Sequence, residues 1–113
     1  MDYVALRKQV IDAGLLDRQY GYYAFKIISS LLMVIVLCFL FLAVSGFWLQ
    51  LLLIFGITIG ILQFTFLGHD AGHQAIFKSG RWNNFFGHIF FEFFGGVGYN
   101  YWVSRHNEHH ANP

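Results

Sequence analysis

The sequence is short of charge. Only 12% of its 113 residues are Asp, Glu, Lys or Arg, whereas a soluble domain carries about a quarter. None of these residues occurs between Lys26 and Asp70, a stretch of 43 residues. The formal net charge of +1 gives no concentrated basic face, and therefore no case for nucleic-acid binding. The composition indicates a membrane protein.

Cysteine is almost absent. The single Cys38 excludes an internal disulfide, and its place in an apolar stretch is typical of a small hydrophobic side chain. The sequence also contains no internal repeat and no low-complexity tract. We therefore treat residues 1–113 as one unit.

The uncharged stretch is too long for one membrane span. As a helix it would extend about 65 Å, roughly twice the ~30 Å hydrocarbon core of a bilayer. Ser45 and Gly46 form a turn signal in its middle. Because backbone amides in lipid must bond within their own segment, we predict a transmembrane helical hairpin of residues 25–44 and 47–67.

An alternative is a cleaved signal peptide, because "AVSG" at residues 43–46 resembles a signal-peptidase site. The region before the apolar run is long for a signal peptide and carries three Asp residues, and a second apolar segment follows at once. These features favour the hairpin.

The basic residues predict the orientation of the hairpin. They lie before the first span and after the second, whereas the turn has no charge; they are Arg7, Lys8, Arg18, Lys26, Lys78, Arg81 and Arg105. Both chain ends are therefore expected in the cytoplasm. Residues 1–24 are predicted to form a cytoplasmic N-terminal helix lying on the membrane surface, with Leu6, Val10, Ile11 and Leu15 at helical spacing.

Residues 68–113 are predicted to be cytoplasmic or interfacial. The polar residues 77–84 indicate a loop, and the Phe-rich residues 85–94 are too few to span a bilayer. That segment also contains His88 and Glu92, and glycines follow it. If it does not span, the segments before and after it lie on the same side. The overall prediction is an all-α membrane protein.

Five of the six histidines fall into two groups. The first histidine group is His69 and His73, spaced i and i+4; the second histidine group is His106, His109 and His110, spaced i, i+3 and i+4. On a helix each spacing places the rings on one face. Neutral imidazoles are typical ligands of iron, zinc, copper and nickel. Although a lone His is usually structural, two such groups beside a membrane predict a metal site.

Four further polar residues accompany these groups. Asp70 and Glu108 lie within the groups but about 100° or more around the helix from the ligand face, so we expect them to orient imidazoles rather than bind metal. His88 and Glu92 are four residues apart and can pair, and we favour a polar helix edge as their role. The Phe residues of the 85–94 segment are expected to pack in the core or against lipid.

Together these motifs resemble those of the membrane fatty acid desaturases. "HDAGH" and "HNEHHANP", which follow an apolar hairpin, match the first two histidine boxes of that family, HxxxH and HxxHH. "GHDAGHQAIF", "WNN" and "YWVSRHNEHHANP" strengthen the resemblance, which covers residues 20–113. By position, His69 and His73 correspond to box one, and His106, His109 and His110 to box two.

The resemblance implies an oxygen-dependent di-iron enzyme that removes two hydrogens from a fatty acyl chain. Its substrate would be an acyl-CoA, an acyl-acyl carrier protein or a membrane lipid. Its electrons would come from a ferredoxin or from cytochrome b5 with its reductase. The absence of a preceding cytochrome b5 domain favours a bacterial plasma membrane over the endoplasmic reticulum.

The family carries a third histidine box that this sequence lacks. Two irons require more donors than five imidazoles, so we expect residues 1–113 to be a partial, N-terminal desaturase domain with an incomplete di-iron centre and no activity of its own. The alternatives are a non-catalytic membrane fragment and a related di-metal lipid hydroxylase, which would yield a hydroxyl rather than a double bond. A haem protein is disfavoured because neither predicted span contains a histidine.

Overall fold

The protein is built from helices. The computed structural model describes residues 2–112, in which there is no strand; the helices are α1 (Tyr3–Asp12), α2 (Tyr20–Ala43), α3 (Phe47–Gly72), α4 (Gly80–His88), a π-helical segment (Ile89–Phe94) and α5 (Tyr99–Ala111). With mean hydropathies of 2.7 and 2.2, α2 and α3 are long and apolar enough to cross a bilayer. The predicted all-α membrane fold is confirmed.

Both long helices extend beyond the predicted spans. The turn between them lies at Ser45 and Gly46, as expected, and Gly46 adopts a φ of 131° there. However, α2 already begins at Tyr20 and α3 continues to Gly72. The predicted boundary between residues 67 and 68 therefore falls inside α3, because its hydrogen bonding continues past the last apolar residue. Of the first histidine group, His69 thus lies in the last turn of α3 and His73 follows directly after it.

The N-terminal segment is divided. Residues 1–24 were expected to form one helix, but α1 ends at Asp12, close to Gly14, which has a φ of 68°. Residues 20–24 instead form the start of α2. No described residue of α1 is buried. Its location on the membrane surface stays a prediction.

The two long helices pack closely through small residues. A Cβ atom on Gly60 of α3 would lie 2.6 Å from Cγ2 of Val34 on α2, so only glycine allows this approach. Closer to the C-terminal end of α3, Lys26 Nζ on α2 donates a hydrogen bond to Gln63 Oε1 over 3.0 Å. This packing favours a retained hairpin over a cleaved signal peptide.

The Phe-rich segment folds back onto α3. The ring of Phe94 stacks on Phe64 at a centroid distance of 3.8 Å and an interplanar angle of 9°. Buried side chains join the end of α3 to the segments after it; they are Phe64, Leu67, Ala71, Ile76 and Phe90. The segment therefore lies against the end of the hairpin. That it does not lead the chain across the membrane stays a prediction.

The prediction of a loop at residues 77–84 is partly wrong. The chain turns at residues 73–79, but α4 already begins at Gly80. The cause is Asn83, which is fully buried. Its amide nitrogen donates to the carbonyl oxygens of Phe77 (2.7 Å) and Ser79 (3.1 Å), and its oxygen accepts from the Phe77 N–H (3.0 Å). A side chain of α4 thus provides hydrogen-bond partners for the backbone groups of the preceding turn.

We predict that Gly60→Ala destabilises the hairpin. The new methyl group would overlap Val34, and overpacking of this kind costs about 1–3 kcal/mol. The matched control is Gly21→Ala on α2, where a Cβ meets nothing within 4 Å. Thermal unfolding in detergent should show a lower midpoint for Gly60→Ala alone, and adding Val34→Ala should restore it. An unchanged Gly60→Ala midpoint would contradict this packing.

Candidate metal centre

The first histidine group lies where α3 leaves its apolar stretch. His69 is in the last turn of α3, and His73 immediately follows its last residue. The His73 N–H still bonds to the His69 carbonyl over 3.1 Å, which keeps the two rings one helical turn apart. Their centroids are separated by 4.6 Å. Gln74, with a φ of 57°, then ends the helical path.

Helix α5 brings two imidazoles of the second group to the same place. His106 Nε2 is 3.0 Å from His73 Nε2 and 3.0 Å from His110 Nε2. The ring of His106 is also 4.8 Å from that of His69. One ligand nitrogen from each of His69, His73 and His106 lies within 4.8 Å of the others. His69, His73, His106 and His110 therefore form a four-imidazole cluster.

Hydrogen bonds between the imidazoles cannot satisfy all the ring nitrogens of this cluster. An imidazole nitrogen carries either one proton or one lone pair. His106 Nε2 faces two other Nε2 atoms at 3.0 Å and cannot hydrogen-bond well to both. A metal ion accepts several lone pairs at once. Two nitrogens bound to one metal at about 2.1 Å stand about 3.0–3.4 Å apart, so the spacing fits a shared ion.

The surroundings of two of the rings favour the uncharged imidazole. Desolvation lowers the pKa of His73, and the neighbouring His69 and His110 lower it further. Desolvation likewise lowers the pKa of His106, followed by the effects of His110, His69, His73 and His109. Both shifts favour the neutral imidazole, which is the form that binds metals.

An aromatic stack holds α5 against α3. Trp102 lies between Phe91 (centroids 4.4 Å apart, 28°) and His106 (4.3 Å, 18°). Its edge also approaches His69, at 5.5 Å. On α3 only glycine fits below it, because a Cβ on Gly72 would lie 2.6 Å from Trp102 Cζ3. Trp102 thereby contacts ligand candidates from both histidine groups.

The remaining member of the second group lies outside the cluster. His109 shares a shallow surface groove with Arg105, Glu108 and Asn112. Glu108, which was expected to orient an imidazole, instead accepts a hydrogen bond from Arg105 over 2.7 Å. The structure therefore brings four of the five predicted ligands into contact. His109 stands beside them, with its ring centroid 6.4 Å from that of His106 and 5.8 Å from that of His110.

Asp70 lies beside the cluster. Its Oδ1 is 3.4 Å from Nδ1 of His69, which agrees with the expected orienting role. Its Oδ2 accepts a hydrogen bond from the hydroxyl of Tyr23 on α2 over 3.2 Å. The carboxylate therefore connects an imidazole to a different helix.

Glu92 fixes the start of α5. Its Oε1 is 2.9 Å from Nδ1 of His88, so the two residues pair as predicted. The same oxygen accepts the N–H of Tyr99, the first residue of α5, over 3.2 Å. Hydrogen bonds from His88 and then from the Tyr99 backbone hold the pKa of the Glu92 carboxyl below its usual value. Glu92 therefore caps the helix that carries the second histidine group.

Comparison with known proteins identifies the family. The family model described as fatty acid desaturase matches residues 46–113, which contain both histidine groups. The chain belongs to the fatty acid desaturase family. It is 31% identical to a Delta(8)-fatty-acid desaturase of Euglena gracilis, over 97% of this chain and 26% of the relative. It is 33% identical to a Delta 8-(E)-sphingolipid desaturase of Komagataella phaffii, over 97% of this chain and 20% of the relative.

A third relative shows the same pattern of coverage. A Delta(8)-fatty-acid desaturase of Helianthus annuus is 32% identical over 96% of this chain and 24% of its own length. This desaturase chain thus spans between a fifth and about a quarter of the curated relatives that it matches. No solved structure matches it significantly.

Three residues that contact the site in this desaturase-family chain were not predicted from the sequence. Trp102 could have been found from its position, one helical turn before His106 on α5. The close approach of Gly72 to Trp102 could not be predicted, because nothing in the sequence around Gly72 indicates which residue packs against it. Tyr23 had no signal at all, because it lies 47 residues before Asp70 and only the packing of α2 on α3 brings them together.

We predict that Glu92→Ala loosens the start of α5. The Tyr99 amide would lose its acceptor and exchange with solvent severalfold faster, as for the loss of a helix cap. In the unchanged desaturase chain, Glu92 has a lowered pKa, so its contribution is present above its usual pKa of 4.5 and is lost as the pH falls through the lower, folded value.

Amide exchange followed by NMR measures both effects. Exchange at Tyr99, corrected for its intrinsic pH dependence, should accelerate only at acidic pH in the unchanged chain and at all pH values in Glu92→Ala. Glu108→Ala, which removes an acid paired with Arg105 on the same helix, is the control. Equal protection of Tyr99 in both variants would show that Glu92 is not a cap.

Proposed function

We propose that this chain is the part of a membrane desaturase that supplies the first two histidine boxes of an iron centre. The reaction would introduce a double bond into a fatty acyl chain with molecular oxygen. The observation that carries the proposal is the convergence of four imidazoles from two separated histidine groups. Membership of the desaturase family, and three relatives named as fatty acid or sphingolipid desaturases, support it.

The proposed ligands have distinct positions. His69, His73, His106 and His110 would hold one metal ion. His109, whose ring lies 6.4 Å from that of His106, would contribute to a second ion together with donors from elsewhere in the complete enzyme. Iron would supply the oxidising power needed to break an unactivated C–H bond, which zinc cannot provide. The residues of this chain would hold the nitrogens unprotonated and would fix α5 against α3.

The hairpin suits a lipid substrate. The four-imidazole cluster follows directly on the helix α3, so a metal held there would lie close to the membrane boundary. We propose that both histidine groups face the cytoplasm, on the basis of the basic flanking residues. The acyl carrier would be CoA, acyl carrier protein or an intact lipid, and the electron donor a ferredoxin or cytochrome b5 with its reductase.

The cellular membrane is also part of the proposal. The sequence alone favoured a bacterial plasma membrane, and this stays a prediction. The relatives that match are eukaryotic proteins. An endoplasmic reticulum location satisfies the same charge distribution, because the rule concerns the cytoplasmic face in either case.

We predict that metal binding by residues 1–113 depends on the cluster and not on His109. In detergent, under anaerobic conditions, titration with Fe²⁺ should show that His73→Ala lowers the affinity at least about tenfold. Loss of a residue that only supports a ligand already has an effect of this size. His109→Ala, the matched variant on the same helix as His106, should bind as the unchanged chain does. In a chain extended through a third box, we expect His109→Ala to lose iron as well.

The opposite pattern would contradict the assignment. If His109→Ala abolished binding in the short chain and His73→Ala did not, the cluster would not be the metal site. Circular dichroism of each variant separates loss of a ligand from loss of helical structure.

We predict that residues 1–113 alone leave acyl chains unchanged, because five imidazoles are fewer than two irons require. The short chain and an extended chain with a third box should be expressed in the same membranes and their acyl chains analysed. Double bonds should form only with the extended chain. A hydroxylated product would instead identify a lipid hydroxylase, and turnover by the short chain would contradict the prediction.

A further inference from the structure

We infer that Tyr23 is a positioning residue for the metal ligand His69, acting through Asp70. The inference rests on the proposed metal centre. Tyr23 lies in the first turn of α2, and its hydroxyl donates to Asp70 Oδ2 over 3.2 Å. The other carboxylate oxygen, Oδ1, lies 3.4 Å from His69 Nδ1. A continuous polar path therefore runs from the hairpin's first helix to the cluster.

The carboxylate determines which nitrogen of His69 is free. A ligating imidazole binds the metal with one nitrogen and holds a proton on the other, and an acceptor for that proton fixes both the tautomer and the ring orientation. Asp70 stands at Nδ1 of His69. The proton therefore belongs on Nδ1, and Nε2 is the nitrogen left with a lone pair for the metal.

Asp70 cannot hold this position by itself. It is adjacent to His69 in sequence, and adjacent side chains on a helix diverge by about 100°. Both side chains are 40% exposed, so water competes for the carboxylate. The 3.4 Å contact is also long for a charge-assisted hydrogen bond. A second anchor on the carboxylate is needed to keep Oδ1 directed at the imidazole.

Tyr23 provides that anchor from a different helix. Its ring is partly buried and packs against the buried cluster that joins α3 to the Phe-rich segment. This packing fixes the place of the hydroxyl, which binds the oxygen that His69 does not use. The position of α2 is thereby transmitted to a metal ligand on α3.

The neighbouring residue offers a matched control. Tyr22 contacts the Tyr23 ring edge-on at 5.2 Å, but its side chain is 55% exposed. Tyr22→Phe and Tyr23→Phe each remove one hydroxyl from the same helical turn. Only the second removes a donor from Asp70.

The test is a double-mutant cycle read out by Co²⁺. The four forms are the unchanged 113-residue chain in detergent, Tyr23→Phe, Asp70→Asn and the double variant. Asp70→Asn should weaken Co²⁺ binding by about 10–100-fold. Tyr23→Phe should weaken it by a smaller factor, about threefold to tenfold, and shift the Co²⁺ d–d absorption band because the ligand field changes. Tyr22→Phe should change neither quantity.

The cycle also tests the route of the effect. If Tyr23 acts through Asp70, adding Tyr23→Phe to Asp70→Asn should cause no further loss of affinity. An equal loss in both backgrounds would overturn the inference, as would a Tyr23→Phe form with unchanged affinity and spectrum.

A metal-free measurement separates this inference from the proposed function. In the chain without metal, imidazole ¹⁵N shifts should show the Nδ1–H tautomer of His69 in the unchanged chain and in Tyr22→Phe, and a mixture of tautomers in Tyr23→Phe. Failure of the unchanged chain to bind Co²⁺ or Fe²⁺ would overturn the metal centre, and the positioning role of Tyr23 with it. If the unchanged chain binds metal and Tyr23→Phe has the same affinity, spectrum and His69 tautomer, the metal centre stands and only the role of Tyr23 is overturned.

Discussion

The meeting of α5 with the end of α3 is the contact on which the candidate site depends. Trp102 lies against Gly72 and between Phe91 and His106, so one side chain touches helix, π-helical segment and imidazole together. Flat rings stacked in this way exclude water and leave few alternative orientations. Four histidine side chains converge only because the backbones that carry them are held at this short distance.

The hairpin constrains the site in a second way. Close packing at Gly60 fixes α2 beside α3, and α3 then continues without interruption from its apolar stretch into His69. A candidate ligand at the end of a long helix has a defined distance from the apolar region. The hydroxyl of Tyr23 links α2 to Asp70 at the same level. The hairpin therefore contributes to the position of the candidate ligands.

Asp70 and Glu108 are similar acidic residues that have different partners in the folded chain. Asp70 and Glu108 stand at comparable places within their histidine groups, and the same orienting role was expected for both. Asp70 lies between His69 and Tyr23, whereas Glu108 pairs with Arg105 on the outer face of α5. The difference arises from the surroundings: α2 packs beside Asp70, while the side of α5 with Glu108 and His109 is exposed.

The sequence by itself determined the helical hairpin, its turn and the two histidine groups. These features follow from local rules: the length of an uncharged stretch, the turn preference of Ser45 and Gly46, and the 3.6-residue period of a helix. Only the tertiary structure decided that His110 contacts His106 while His109 stands farther from it. It also decided that α4 begins at Gly80, that Trp102 stacks on His106 and that Tyr23 reaches Asp70. Such decisions depend on contacts between residues far apart in the chain, and no local period or composition encodes which surfaces will meet.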